Sequence, residues 1–274
     1  MIKYMQKYYV PSGGMPDKGA STVSKAIFTE SYIVIPASSL TDIVTSNFPF
    51  WERSRFWVLA RPLSGFAETF SQYIAEVFPG GGSETPETDH SAESAFFVVD
   101  GSIDIVFEGE IHRLEKGGFS YLPPGTHWKI RNLSESVARF HWIRKAYNMV
   151  DGLEVPEALF TKERDLKSIP MEGYEDSWLT TRFIDIADLR YDMNIAIVSF
   201  MPGGRIPFME THVMEHGLYV LQGRAVYCLN NDWVEVSEGD FMWLRAFCPQ
   251  ACYAGGPEVF RYLLYKDVNR HAHL

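Results

Sequence analysis

The sequence predicts an all-β protein built from two β-barrels in tandem. Short strand-like segments recur along the chain, and the second half repeats landmark residues of the first half. The composition is that of a globular protein, with 46% hydrophobic and 15% aromatic residues. At 274 residues, the chain can hold two barrels of roughly 110–120 residues and an N-terminal arm. We expect aromatic barrel interiors.

Strand-like segments fill the first half in close succession. They are rich in β-branched and aromatic residues, and turn-forming residues separate them. The predicted strands are residues 32–35, 55–61, 73–78, 96–99, 103–107 and 119–122. This spacing is typical of sandwiches and barrels rather than of alternating helices and strands.

An internal repeat supports the tandem arrangement. Shifting the chain by 122 residues without a gap pairs five residues of the first half with identical residues of the second. The pairs are Gly82 and Gly204, Gly101 and Gly223, Gly117 and Gly239, Phe119 and Phe241, and Leu122 and Leu244. Two copies of one barrel are therefore expected, one after the other in the chain.

Domain limits are set by the repeat and by local composition. Gly, Pro and Ser are frequent near the start, which predicts an extended arm, and two prolines and a charged stretch mark a linker. The predicted parts are an arm over residues 1–25, a first barrel over 26–147, a linker over 148–180 and a second barrel over 181–274. Within the linker, residues 156–166 are predicted to form a short helix.

The second half carries a cluster of metal-ligand residue types between Gly204 and Gly223. If this segment is a strand, Glu210, His212 and His216 share one parity, and their side chains point to the same side. One carboxylate and two imidazoles suit manganese, iron or zinc, and no thiolate takes part. The spacing predicts a metal site inside the second barrel.

Residues 212–216 also spell H-x-x-E-H, which is a pattern of one class of zinc peptidases. On a helix, His212 and His216 would again share a face. Pro202 and Pro207 precede this segment, and a strand-like run comes after it, so a helix is disfavoured. The peptidase remains a minor alternative.

The spacing of Gly204, Glu210, His212, His216 and Gly223 is similar to the first cupin motif, with the usual order of Glu and His exchanged. The stretch from Gly239 resembles the second cupin motif, and its ligand position, usually His, falls on Gln250. The resemblance implies a bicupin of two double-stranded β-helix (jelly-roll) barrels with few short helices. In the first copy the ligand positions hold Thr88, His90, Ser94 and Trp128, so we expect no metal there.

Among bicupins, the ligand order Glu, His, His, Gln most resembles the (S)-ureidoglycine aminohydrolases of allantoin and purine degradation. Further matching residues extend over the second half: Met193, Asn194, residues 210–213 and 215–217, Asn231, Trp233, residues 265–267, Asn269 and Arg270. The chain departs from the family at Cys248 and Cys252, which we expect to pack as small hydrophobes.

The resemblance implies manganese-dependent hydrolysis of (S)-ureidoglycine to (S)-ureidoglycolate and ammonia. Glu210, His212, His216 and Gln250 would hold Mn²⁺, or another divalent ion such as Fe, Zn or Ni. Lys266, Tyr227 and Tyr262 would contact the small anionic substrate, and Glu210 or a tyrosine would transfer the proton. No organic cofactor is implied.

Two other classes of bicupin remain open from the residues alone. An iron dioxygenase also uses two His and one carboxylate, and a small-molecule-binding cupin would keep the fold without catalysis. Gln250 and Lys266 favour substrate anchoring over oxygen activation. A DNA-binding sensor is disfavoured because no basic helix-turn-helix segment is visible.

Charge and cysteine content indicate which partners and which cellular location to expect. The net charge of −10 disfavours nucleic acids and anionic membranes as partners. Three cysteines form no disulfide framework, and no apolar stretch is long enough to span a membrane. We therefore expect a cytoplasmic enzyme, and the cupin resemblance implies a homo-oligomer of at least two copies.

Overall fold

A computed structural model describes residues 26–268 and 270; the predicted arm over residues 1–25 lies outside the described residues. The described chain contains twenty β-strands, four short 3₁₀ turns and no α-helix. None of its helical segments is long and apolar enough to cross a membrane. The predicted all-β class is confirmed.

Each predicted segment of the first half overlaps an observed strand, and β1, β7, β9 and β10 are additional to the predicted ones. They are β1 Ile27–Phe28, β2 Tyr32–Ile35, β3 Glu52–Ala60, β4 Ser71–Ser83, β5 Ala92–Asp100, β6 Ser102–Phe107, β7 Glu110–Glu115, β8 Gly118–Leu122, β9 Trp128–Arg131 and β10 Ala138–Ala146. Three 3₁₀ turns lie at Ala37–Ser39, Asp42–Val44 and Pro62–Ser64.

The second half continues with ten further strands. They are β11 Leu159–Lys162, β12 Ile169–Pro170, β13 Trp178–Arg182, β14 Met193–Phe200, β15 His216–Gln222, β16 Arg224–Leu229, β17 Asp232–Ser237, β18 Phe241–Leu244, β19 Gln250–Tyr253 and β20 Phe260–Asp267. The fourth 3₁₀ turn, Glu163–Asp165, comes directly after β11.

Two large antiparallel sheets organise the two barrels. The first has the order β11-β8-β5-β10-β4-β9-β6-β7, with β3 paired to β4, and the second has the order β1-β2-β18-β15-β20-β14-β13-β12. A three-stranded sheet, β17-β16-β19, contributes to the core of the second barrel together with the second large sheet. The strand sequence β8-β5-β10-β4 in one sheet and β18-β15-β20-β14 in the other reproduces the sequence repeat.

Equivalent glycines occupy equivalent turns in the two barrels. Gly101 and Gly223 both have positive φ, at 70° and 76°. A β-carbon would lie 2.6 Å from the Val137 carbonyl oxygen at Gly101, and 2.6 Å from that of Val259 at Gly223. Both the left-handed backbone and the close carbonyl require glycine. The 122-residue repeat therefore extends to individual contacts.

The two halves exchange one strand each. Strand β2 precedes the first barrel in the chain but pairs with β18 of the second sheet, from Tyr32 opposite Leu244 to Ile35 opposite Phe241. Strand β11 precedes the second barrel but pairs with β8 of the first sheet. Strand pairing thus divides the chain differently from the predicted limits, which placed residues 27–35 in the first barrel and residues 159–162 in the linker.

The helix predicted over residues 156–166 is wrong. Leu159–Lys162 forms β11, and only Glu163–Asp165 has helical geometry, as a 3₁₀ turn. Strand β8 would otherwise expose unpaired backbone groups at the edge of its sheet, and pairing with β11 satisfies them. Local charge patterning cannot reveal an acceptor strand some forty residues away.

Hydrophobic side chains form one core in each barrel and a third core between them. The first interior is aromatic, with Phe56, Phe96 and Trp142 among its buried residues. The third core joins both large sheets: Phe70 stacks on Tyr265 at 4.0 Å, and Phe119 stacks on Phe183 at 4.3 Å. The backs of the two sheets therefore pack against each other, and each barrel keeps its own interior.

Candidate functional site

A row of polar side chains crosses one end of the second barrel's interior. His216 opens β15 and lies directly opposite Lys266 of β20, which in turn lies opposite Asn194 of β14. Directly opposite residues share a sheet face. The next row inward, which includes Leu218 and Leu264, is apolar. Imidazole, ammonium and amide groups therefore meet at the end of an apolar interior.

Glu210 and Gln250 join this end of the barrel through their backbones. The two residues form an isolated β-bridge in which each N–H donates to the other's carbonyl, at 3.0 and 2.9 Å. Gln250 begins β19, and only 4% of its surface is exposed. The bridge holds the predicted first and fourth ligands beside each other.

The segment that carries Glu210 and His212 is a loop, so the strand on which the parity argument depended is absent there. Apart from the bridge at Glu210, no strand is assigned between Ile206 and His216. Gly203 has positive φ and Pro207 lacks an N–H, and both disfavour a regular strand here. Equal parity along a strand therefore does not explain how these side chains approach one another.

The loop nevertheless places Glu210 near His212, and His212 near His216. His212 Nε2 lies 3.5 Å from Glu210 Oε1, and the rings of His212 and His216 have centroids 5.0 Å apart. Within residues 26–268 and 270, however, no three His, Cys, Asp or Glu side chains stand close enough to hold a metal ion in their present positions. Glu210 and His212 are partly exposed, at 20% and 24%.

His216 has the character of a buried ligand. Its surface is only 3% exposed, and neither ring nitrogen has a hydrogen-bond partner among the described residues. Burial lowers the pKa of His216 well below its ordinary value, and the charge of Lys266 lowers it further. The neutral ring keeps a nitrogen lone pair, which is what a cation needs from imidazole. An uncompensated buried polar group is costly, so these residues fit a bound cation.

Lys266 is a half-buried cation beside this ring. Burial lowers the pKa of its ammonium, while the nearby Glu210 carboxylate acts in the opposite direction. Arg182 adds a second positive charge within range of Lys266. Lys266 and Arg182 therefore place two cations at the pocket end of an acidic chain, with the carboxylates of Glu210 and Asp267 nearby.

Tyr227 and Tyr262 lie deeper in the same interior. Their rings are 6.4 Å apart, and Tyr227 is fully buried with no hydrogen-bond partner for its hydroxyl among the described residues. Burial is the main cause that raises the pKa of both hydroxyls well above the ordinary value. The structure thus places both predicted tyrosines in the second barrel, and both remain neutral hydrogen-bonding groups.

The cysteines near Gln250 pack in the apolar core of the second barrel, as expected. Cys248 and Cys252 are buried and free, and Cys252 lies opposite Tyr227 in the pairing of β16 with β19. Burial raises the pKa of Cys252 to about 12, so its thiol stays protonated and unreactive.

The H-x-x-E-H segment lacks the helix on which a zinc peptidase depends. Residues 212–215 form no helix, and His216 starts a strand. Glu215, which would be the general base, instead directs its carboxylate to the first barrel, where it accepts hydrogen bonds from the backbone N–H groups of Glu68 and Thr69. The peptidase alternative is therefore wrong.

Aromatic side chains fill the corresponding space of the first barrel. Trp128, at the fourth ligand position, packs edge-on against Phe96 at 5.2 Å. Ser94, at the third position, accepts a hydrogen bond of 3.1 Å from the Trp142 indole. The space that could receive a ligand in the second barrel is occupied by rings in the first.

Asn194 lies in this pocket and matches the family, but its position in the sequence alone indicated no role. The side-chain oxygen of Asn194 is buried and has no hydrogen-bond partner among the described residues. In the sequence, the indication of a role is a single amide in the otherwise mostly apolar strand Met193–Phe200. Only the pairing with Lys266 shows that it shares the face of the ligands.

Comparisons with known proteins agree with this fold. The cupin domain family matches residues 74–144 and 196–265, one segment in each barrel. The chain is 32% identical over 229 residues to the (S)-ureidoglycine aminohydrolase of Escherichia coli (strain K12), covering 83% of this chain and 86% of that protein. It is 31% identical over 231 residues to the (S)-ureidoglycine aminohydrolase of Arabidopsis thaliana, covering 83% of this chain and 74% of that protein.

A solved structure is similar over nearly the full length. The crystal structure of the putative glyoxylate induced protein from Pseudomonas aeruginosa superimposes with a TM-score of 0.89 at 59% identity. The match covers 97% of this chain and 98% of that chain. The tandem-barrel architecture is therefore shared along almost the whole chain.

Proposed function

Because this chain belongs to the cupins and, within them, to the (S)-ureidoglycine aminohydrolase family of hydrolases acting on C–N bonds, we propose that it hydrolyses (S)-ureidoglycine to (S)-ureidoglycolate and ammonia. In this reaction the bond between the α-carbon and the amine breaks. Water supplies the hydroxyl group that replaces the amine and the proton that the leaving ammonia needs. No oxidant or reductant is consumed.

The proposed cofactor is a divalent cation, Mn²⁺, held by Glu210, His212, His216 and Gln250. The observation that carries this assignment is the buried ring of His216, whose two nitrogens lack partners among the described residues although Glu210 and His212 lie nearby. Two imidazoles and two oxygen donors suit this class of ion. When bound, the cation supplies Lewis-acid chemistry at the substrate.

The chain's own residues bind and orient the substrate in this proposal. Lys266 pairs with the substrate carboxylate, because it is the cation directly beside the ligand row. The hydroxyls of Tyr227 and Tyr262 donate hydrogen bonds to substrate oxygens. Glu210, a carboxylate at the mouth of the pocket, transfers the proton. The apolar rows beneath exclude water from the deeper interior.

The proposed activity can be tested by ammonia release. Metal-stripped protein, with and without added Mn²⁺, is mixed with freshly generated (S)-ureidoglycine, and ammonia is measured above the spontaneous rate. We expect acceleration only with Mn²⁺ and equal rates with and without dioxygen. Mn²⁺ binding without acceleration would refute the proposed activity, and dependence on dioxygen would favour an iron oxygenase of the same fold.

Asn194 is proposed to recognise the ureido group. Its buried carbonyl oxygen accepts no hydrogen bond from the described residues, and ureido N–H groups are donors. We expect Asn194→Ala to raise KM by about tenfold, the loss of roughly one charge-neutral hydrogen bond, with Mn²⁺ affinity unchanged. Ser199→Ala, on the same strand but the opposite face, is the control. An unchanged KM for Asn194→Ala would rule out this contact.

Assembly and location complete the proposal. We propose a homo-oligomer of at least two copies that acts in the cytoplasm, consistent with three free cysteines that form no disulfide in the described chain. Light scattering on the purified protein measures the oligomeric state directly.

A further inference from the structure

Glu215 stands out among the charged residues that the proposed reaction does not use. Only 6% of its surface is exposed. The Glu68 N–H donates to its carboxylate at 2.9 Å and the Trp243 indole at 2.7 Å, and Thr69 donates from its N–H and its hydroxyl. The Glu68 and Thr69 donors belong to the segment that leads into β4 of the first barrel. Every one of these donors is a neutral group.

The same segment contacts the residues on either side of His216 and beside Lys266. The hydroxyl of Thr69 shares a hydrogen bond of 3.1 Å with that of Tyr265. Gly217 follows His216 in the chain, and a β-carbon at this position would lie 2.8 Å from both Phe70 Cζ and Gln72 Oε1. Residues 68–72 therefore press against positions 215, 217 and 265.

Strand alternation explains this pattern. His216 and Lys266 point into the second barrel. The residues next to each of them in the chain therefore point to the opposite face of the sheet. That face packs on the first barrel. The same strands thus carry the ligand and the substrate-binding lysine on one side and their supports on the other.

The repeat provides an internal comparison. By the 122-residue shift, Glu93 corresponds to Glu215 and Tyr121 to Trp243. The Tyr121 hydroxyl donates to Glu93 at 2.7 Å, as the Trp243 indole donates to Glu215. Glu93 is also fully buried. Both glutamates are buried and accept a hydrogen bond from the equivalent aromatic residue, but Glu93 has one oxygen without a partner among the described residues, and the next residue is Ser94 in the first barrel and the proposed ligand His216 in the second.

We propose that Glu215, clamped by Thr69 of the first barrel, is a positioning residue that fixes the start of β15 and thereby the ring of His216. The first barrel, whose own ligand positions hold Thr88, His90, Ser94 and Trp128, acts through this clamp as the rigid support of the second barrel's metal centre. This inference rests on the metal assignment in the proposed function. A buried carboxylate held by neutral donors is costly to disturb, because any donor lost leaves charge unsatisfied.

Mn²⁺ titration into metal-stripped protein tests the clamp without any assay of turnover. We expect Glu215→Gln and Thr69→Val each to weaken Mn²⁺ affinity by about 10- to 100-fold, the range for residues that orient metal ligands. Glu93→Gln changes the equivalent buried glutamate of the first barrel and should leave Mn²⁺ affinity at the wild-type value.

The outcomes separate this inference from the proposed function. Wild-type affinity in both Glu215→Gln and Thr69→Val would overturn the clamp and leave the metal assignment standing. Equal loss of affinity in Glu93→Gln would also overturn it, because the effect would then be general destabilisation. A wild-type protein that binds no Mn²⁺ would refute the metal assignment and the clamp together. If Glu215→Gln does not fold, Thr69→Val decides alone, since Thr69 lies in the other barrel.

Discussion

Lys266→Ala is expected to lower kcat/KM for (S)-ureidoglycine by on the order of 10²- to 10³-fold, the effect of truncating one partner of a desolvated charge pair. Lys266 lies directly opposite the buried ring of His216, and no other lysine lies on that row of β15, β20 and β14 among the described strands. Without it the substrate carboxylate would enter a partly buried site with no adjacent ammonium. Steady-state kinetics across substrate concentrations measure the loss.

The variant should keep its metal, because Lys266 donates no ligand. Mn²⁺ content and affinity are therefore measured on the same preparation. Arg144→Ala is the matched control: Arg144 occupies the equivalent position in the first barrel by the 122-residue shift and pairs with Glu87 at 2.6 Å. We expect that variant to lose stability but to retain kcat/KM per folded molecule. Wild-type turnover in Lys266→Ala would remove Lys266 from the proposed site.

His216→Ala is expected to abolish Mn²⁺ binding in practice, weakening affinity by at least about 100-fold, because loss of a direct ligand should exceed the 10- to 100-fold cost of losing a residue that only orients one. Ammonia release should fall to the spontaneous rate. Metal analysis of the purified variant and Mn²⁺ titration measure the loss of Mn²⁺ binding independently of the loss of ammonia release.

The same substitution is expected to have little effect on the stability of the metal-free protein. Both nitrogens of His216 are buried without partners among the described residues, so removing the ring relieves an unsatisfied group while it leaves a cavity. We expect metal-free His216→Ala and wild type to unfold at similar temperatures and to differ only when Mn²⁺ is added. His90→Ala, at the equivalent first-barrel position of His212, is the control and should behave as wild type in both tests. Full Mn²⁺ affinity in His216→Ala would contradict the ligand assignment.

Much of the fold could be predicted from local pattern and repetition. The predicted strands over residues 32–35, 103–107 and 119–122 correspond to observed strands, since β-branched and aromatic runs bounded by turns have few other stable arrangements. The gapless repeat also predicts contacts that no single segment reveals. Gly101 and Gly223 meet equivalent carbonyls because both copies make the same turn.

The predictions that failed share one cause. Residues 156–166 have helix-compatible charges, yet part of the segment is a strand because β8 offers it backbone partners. The parity argument for Glu210 and His212 assumed a strand, yet a loop positions them and a bridge to Gln250 secures it. In each case, pairing with a distant part of the chain determined the local conformation and outweighed the local preference for helix or strand.

The sequence by itself determined the repeat, the β-strand content, the residue types of the proposed metal site and the loss of ligand types from the first barrel, because these depend on which side chains are present and how they are spaced. Tertiary structure alone decided that β2 and β11 exchange barrels, that Asn194 joins the row of His216 and Lys266, and that Glu215 faces the first barrel. Those facts depend on which backbones and buried polar groups meet across the sheets, and spacing along the chain does not specify such partners.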